Sequence, residues 1–157
     1  MGSNEYEGEQ PIHAVTISPL LCMCTPVTRR LYLEVMGTDP GGPEGMADER
    51  PVNNVSWFNA ISNNQTQPVG QKRLNAWGLY DLHGNVWEWC WDWYSSYSSE
   101  PQTDPTGPNQ GQYRVLRGGA FNDGPRFLRS AYRSWNVPEP RGWDFGFRCA
   151  RAPRRQD

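Results

Sequence analysis

Trp87-Glu88-Trp89-Cys90-Trp91-Asp92-Trp93 sets four indoles on the odd positions and Glu88, Cys90 and Asp92 on the even ones. A strict period of two is the mark of a strand with one indole face and one polar face. Half of the 8 Trp in the chain lie in this heptapeptide, and an indole hides its large area only where a fold closes around it. The segment therefore predicts the centre of the core. The Gly-, Arg- and aromatic-rich sequence that follows it is the candidate working surface.

The 157 residues suffice for one domain with a real core and are too few for two. Hydrophobic residues make up 36% and mean hydropathy is -0.80, yet aromatics reach 13%, so burial must come from a few large rings. The formal charge of -2 fits a globular chain and gives no electrostatic case for nucleic acid or a membrane surface. No apolar run approaches the roughly 18 residues of a membrane span, and no signal-like segment opens the chain, so it reads as soluble. Gly 16 and Pro 14 predict much loop. Cys22, Cys24, Cys90 and Cys149 contain one C-x-C and no C-x-x-C; they fit free, mostly buried thiols better than a zinc site or a disulfide framework.

Working outward, 11–20 reads as an opening strand, with His13, Val15 and Ile17 alternating. A packing helix follows over 28–36, where Leu31 and Val35 fall four apart and Gly37 supplies the stop. Residues 38–51 are loop by turn chemistry. Ser56 caps a second short helix over 57–63, broken by the polar run 63–67. A Ser/Pro/Gly-rich loop spans 95–112, and a strand over 113–117 ends at Gly118-Gly119. This gives an N-terminal tail or tag (1–10), one domain (11–151) and a C-terminal tail (152–157).

Gly78-Leu79-Tyr80-Asp81-Leu82-His83-Gly84-Asn85-Val86-Trp87-Glu88-Trp89, Arg114-Val115-Leu116-Arg117-Gly118-Gly119 and Gly146-Phe147-Arg148 resemble, in order, the signature of the formylglycine-generating enzyme (sulfatase-modifying factor) family. Pro26-Val27-Thr28 and 51–57 are similar to its N-terminal blocks. The resemblance implies an α+β, C-type-lectin-like fold with short helices, small twisted antiparallel sheets and much irregular backbone. Two departures matter. The family's long central segment shrinks to about twenty residues, 61–77. The stretch that carries the family's catalytic cysteine pair reads Ala120-Phe121-Asn122-Asp123-Gly124-Pro125-Arg126-Phe127-Leu128-Arg129, without cysteine. Thiol-dependent oxidation needs a thiolate, so no enzyme and no redox metal are expected. Related iron enzymes of this fold class draw histidines from another domain. This chain has only His13 and His83, and His83 reads as an exposed or satisfied turn residue rather than a ligand.

The tail also resembles the variable proteins of diversity-generating retroelements, bacterial or phage proteins that display a hypervariable surface on this fold. Arg117-Gly118-Gly119-Ala120-Phe121, Leu128-Arg129-Ser130-Ala131, Arg133, Pro138, Arg141 and Gly146-Phe147-Arg148 form the frame. The resemblance implies a ligand-binding surface of Phe121, Asn122, Asp123, Arg126, Phe127, Tyr132, Ser134, Trp135, Asn136, Val137, Glu139, Trp143 and Asp144. Rigid aromatics supply area there and short polar groups adaptable hydrogen bonds. Arg117, Arg129, Arg133 and Arg148 read either as guanidinium forks on loop carbonyls and carboxylates or as solvated surface charges. Tyr132, Trp135 and Trp143 read as exposed contacts or as core.

The enzyme family further implies a structural Ca²⁺ held by Asp81, the carbonyls of Gly84 and Val86, and Glu88, with its second calcium site missing. Hard oxygen donors in one turn suit that ion; alternatively, Asp81 caps the turn and Glu88 pairs with an arginine. The functional expectation is non-catalytic recognition of a protein or other macromolecular ligand, without nucleic acid binding or membrane insertion. The alternatives are an oxidase of the formylglycine-generating type or a degenerate relative, and a structural module of a larger complex.

Overall fold

The computed structural model describes residues 1–37, 57–139 and 142–153. The expected loop at 38–51, the block at 51–56 with the Ser56 cap, Arg141 and residues 154–157 lie outside them.

Among the described residues, eight short strands and one α-helix stand in irregular backbone. They are β1 (Val15–Thr16), β2 (Leu21–Cys22), α1 (Arg29–Met36), β3 (Trp87–Trp93), β4 (Gln102–Thr103), β5 (Arg114–Arg117), β6 (Ser134–Asn136), β7 (Phe145–Gly146) and β8 (Ala150–Arg151). The main sheet runs β6-β5-β3-β7, antiparallel except where β7 lies parallel to β3; β1-β4 and β2-β8 form separate pairs. No helix among the described residues is long and apolar enough to cross a membrane.

The Trp heptapeptide is a strand with the expected bounds, but its indoles do not share one face. Trp87 is buried, whereas Trp91 is 82% exposed. Trp89 pairs with Leu116 and Trp93 with Arg114, so four residues of β3 span two of β5. That bulge rotates Trp91 outward. Arg114 then fills the bulge: it donates to the Trp91 carbonyl, and its guanidinium lies 3.6 Å over the Trp93 ring. On one side of the sheet Trp87, Leu116, Ala120 and Phe121 form the core cluster, joined by Trp89, Phe127, Tyr132 and Phe145.

In α1 the Thr28 Oγ1 accepts from Leu31 N at 3.1 Å, a side-chain N-cap, and Gly37 stops the helix at φ 67°. The expected packing role fails, because Val35 and Met36 are exposed. The second helix is also absent. Residues 59–64 make turns, with Ile61 N and Ser62 N both donating to Phe58 O, and Asn63 and Asn64 adopt left-handed φ. A lone polar turn has no apolar face to propagate a helix, and the Ser62 hydroxyl instead donates to Phe121 O at 2.7 Å. The opening strand shortens to β1, with Ile17 exposed.

The first ten residues do not trail as a tail. Glu7–Glu9 form a 3₁₀ turn and Glu9 is 1% exposed, held by Arg129.

Candidate ligand-binding face

Four arginines tie the segments around the main sheet to one another. Arg117, at the end of β5, donates through Nη1 to the carbonyls of Ser130, Ala131 and Tyr132 at 3.2, 3.0 and 3.0 Å, and through Nη2 to the Tyr97 hydroxyl at 2.5 Å. The two N–H groups of this one nitrogen are thus shared among three successive carbonyls of a segment without regular structure. Arg129 pairs with Glu5 and Glu9. Arg133 donates through Nε to Gly8 O at 3.0 Å, its guanidinium lying 4.4 Å from the Tyr94 ring and 3.8 Å from that of Tyr97. Arg148 grips Glu88 with Nε and Nη2 at 2.7 and 2.5 Å and also reaches the carbonyls of Met23, Cys24 and Tyr80. Arg117, Arg129 and Arg148 act as forks, whereas Arg133 makes one hydrogen bond and lies against two rings; none of the four is a free surface charge.

The thirteen candidate contact residues divide. Phe121 is fully buried in the core cluster and presents nothing to a ligand. Its place in the expected surface is corrected by the tight turn after Gly119, which folds it under the sheet. Asn122, Arg126, Trp135, Val137, Glu139 and Trp143 are exposed, whereas Asp123, Phe127, Tyr132, Ser134, Asn136 and Asp144 are half-buried.

One group gathers over Trp87 and Phe121. There Trp143 rests on Phe121 at 5.2 Å, Tyr132 meets Phe127 edge-to-face and Trp87 at a tilt, and the Arg126 guanidinium lies 4.4 Å over the Phe127 ring. Asp123 accepts from Ala120 N at 2.8 Å, and burial, reinforced by the charge of Asp144, pushes its carboxyl above the usual range. A second group lies on edge strand β6, where Trp135 packs 4.3 Å from Tyr113 and 6.1 Å from Tyr94. Sequence reasoning missed two outward indoles, Trp77 and Trp91, each 82% exposed. For Trp77 a signal existed: Asn75 Oδ1 accepts from Trp77 N and Leu79 N, so Asn75-Ala76-Trp77-Gly78 is a turn whose tip must point out.

All four cysteines are free, and none lies in 120–129. Burial pushes the Cys90 thiol up to about 12 and also raises that of Cys22. Cys24 and Cys149 are exposed rather than buried as expected, just beyond the β2–β8 pair, where Met23 N donates to Cys149 O. His83, expected to be exposed or satisfied, is half-buried, with a buried Nδ1 that has no hydrogen-bond partner.

The calcium donors fit an ion only in part. Asp81 is 4% exposed and its Oδ2 accepts from Gly70 N at 2.8 Å, while its buried Oδ1 has no partner. Both Glu88 oxygens, however, are committed to Arg148, and Gly84 O already accepts from Val86 N. An ion on this set would have to separate Glu88 from its guanidinium, so the set as arranged does not fit calcium. Burial also holds the Asp81 carboxyl above the ordinary aspartate range, so its ionised form costs stability, and that cost appears as pH rises through the folded-state pKa. An Asp81→Asn variant keeps an acceptor for Gly70 N and tolerates the left-handed φ of 55°. It is expected to melt at or above wild type, with an advantage that grows from acid to neutral pH and no response to calcium or EDTA in either protein. A calcium-dependent rise in wild-type melting temperature, lost in the variant, would show an ion there.

Comparisons with known proteins fit this architecture. The sulfatase-modifying factor enzyme 1-like domain matches residues 60–153. The formylglycine-generating enzyme of Streptomyces coelicolor is 46% identical over 90 residues, which is 54% of this chain and 29% of that enzyme. The chain therefore spans less than a third of this relative's length. Treponema denticola variable protein 1 superposes with a TM-score of 0.86 at 23% identity, covering 97% of this chain and 91% of that one. PvdO from Pseudomonas aeruginosa superposes with a TM-score of 0.59 at 31% identity, over 80% and 50% of the two chains. With the family model matched across β3 to β8, this chain belongs to the sulfatase-modifying factor enzyme 1-like domain family.

Proposed function

We propose that the domain binds ligands without catalysis, displaying the contact surface from the segment after Gly119. The observation that carries this reading is the Arg117 fork on the carbonyls of 130, 131 and 132. It holds the backbone at 130–132 through main-chain carbonyls, so side chains can differ there without releasing the pin; in the same segment Asn122, Arg126, Trp135 and Trp143 are exposed and Tyr132 is half-buried. Their mixture of half-exposed rings and short polar groups suits a protein or other macromolecular surface. The shared fold of the Treponema variable protein supports the same reading, and the lack of a thiol in 120–129 speaks against the oxidase chemistry of the enzymes in the family.

The test is a binding screen against arrayed proteins and glycans, run beside a Tyr132→Ala/Trp135→Ala/Trp143→Ala variant whose fold is checked by circular dichroism. Aromatic anchors at interfaces are worth about 2 kcal/mol or more each, so any genuine ligand should weaken by well over tenfold. Unaltered binding would point to a scaffold instead. Conversion of a cysteine-containing peptide to its formylglycine form, with copper and oxygen present, would overturn the non-catalytic assignment.

A further inference from the structure

Glu9 is the most deeply buried acid among the described residues, and nothing in the proposed binding surface uses it directly. Its side chain is 2% exposed, against 65% for the Glu5 side chain that shares the same partner. A carboxylate taken so far from water is retained only where its oxygens are matched. Both are matched here. Oε1 takes Arg129 Nη2, and Oε2 takes Arg129 Nη1 at 3.2 Å together with the Ser3 hydroxyl. Arg129 is in turn the first residue of the turn that carries Tyr132, since Tyr132 N donates to Arg129 O at 2.9 Å. Two further contacts tie the same stretches together: Arg133 holds Gly8 O, and the Tyr6 ring lies 4.5 Å from the Arg129 guanidinium.

We propose that Glu9 is a positioning residue for the binding surface: through Arg129 it sets the 129–132 turn, and so the direction in which Tyr132 is presented. The pins thus act from two sides, Arg117 from the sheet and Glu9 from the N-terminal segment. The inference rests on the display reading above for its purpose, but its geometry is testable without any ligand.

The test is amide hydrogen exchange on the full chain, wild type against Glu9→Gln. Gln is isosteric and keeps an acceptor, but loses the charge that two N–H groups of Arg129 share. The Tyr132 amide is expected to exchange about tenfold faster, while the β5 amides of Val115 and Leu116 keep their protection. Arg129→Lys, which keeps the charge and loses the fork, should reproduce this selective loss. Acceleration at 132 and in β5 by the same factor would make Glu9 a general stability residue and overturn the proposal, as would unchanged exchange at 132 in both variants. Failure of the display reading would appear instead in the alanine-variant screen, with the exchange result left standing.

Discussion

An Arg148→Met variant is expected to melt on the order of 10 °C below wild type, the largest loss from any single fork. Arg148 and Glu88 have side-chain exposures of only 8% and 12%, so removing the guanidinium strands a buried carboxylate with neither of its partners. Breaking a buried pair from one side typically costs about 3–5 kcal/mol, which for a domain of this size corresponds to a shift of that order. Three carbonyls, those of Met23, Cys24 and Tyr80, also lose their donor. Burial alone would lower the pKa of Arg148, but the hydrogen bonds and charge of Glu88 outweigh it and hold the guanidinium above its ordinary value; the cation is thus bound tightly. Arg148→Lys should recover little, because an ammonium cannot bridge two oxygens and several carbonyls in one plane. Adding Glu88→Gln to Arg148→Met should restore part of the loss by neutralising the stranded charge. Differential scanning calorimetry reads all three variants. A single Arg148→Met variant melting within about 2 °C of wild type would mean that the pair is solvated and not structural.

What the sequence revealed and what it concealed divide along the distance over which each feature is decided. The bounds of β3 and the Gly37 stop follow from neighbours within four residues, and they stand in the structure as the pattern implied, whereas Thr28, expected as the first helical residue, is the N-cap. Arg117, Arg129 and Arg148 stand beside Gly-Gly, Ser-Ala and Gly-Phe blocks, but fork and solvated charge both stay open in the sequence, because the carbonyls and carboxylates they hold lie far along the chain. Trp91 escaped, since its outward turn depends on a two-residue mismatch with β5, more than twenty positions further along. Glu9 escaped for the same reason: its partner is 120 residues away, and a lone Glu in an acidic N-terminal stretch reads as a solvated charge. The core shows the same division. Trp87 was legible from alternation, but Trp57, 1% exposed, lies at a parallel bridge to Gly84, far along the chain, with Lys72 Nζ 3.9 Å from its ring centre. Phe121 looked like a displayed ring because the side of a loop on which a residue falls is set by the turn before it, not by its own chemistry.

That bridge leads to the second large effect: Gly84→Ala should yield little or no folded protein. A Cβ at Gly84 would stand 1.8 Å from the Trp57 carbonyl oxygen and 2.6 Å from its carbon, both backbone atoms, so no side-chain rotation relieves the contact. The φ of 86° adds a conformational cost of about 1–2 kcal/mol for any L side chain. Relief requires Trp57 and the Gly84-Asn85 turn to part, and that turn is a junction. Gly84 N donates to Gly118 O at 2.8 Å, Asn85 N to Trp57 O at 3.0 Å, and Phe121 N to Asn85 O at 3.0 Å. The Asn85 side chain closes a further two hydrogen bonds with the backbone of Gln67. Separating the turn would therefore release the Trp57 segment, the Gly118-Gly119 corner and the root of the displayed segment together. Gly78→Ala is the matched control: it too has positive φ, at 76°, but a Cβ there meets nothing within 4 Å. It should lose only a few degrees, the conformational part of the effect. Near-ultraviolet circular dichroism and melting of the two variants separate the terms. If Gly84→Ala folds and melts alongside Gly78→Ala, the close approach of Trp57 is not what ties the core to the binding face.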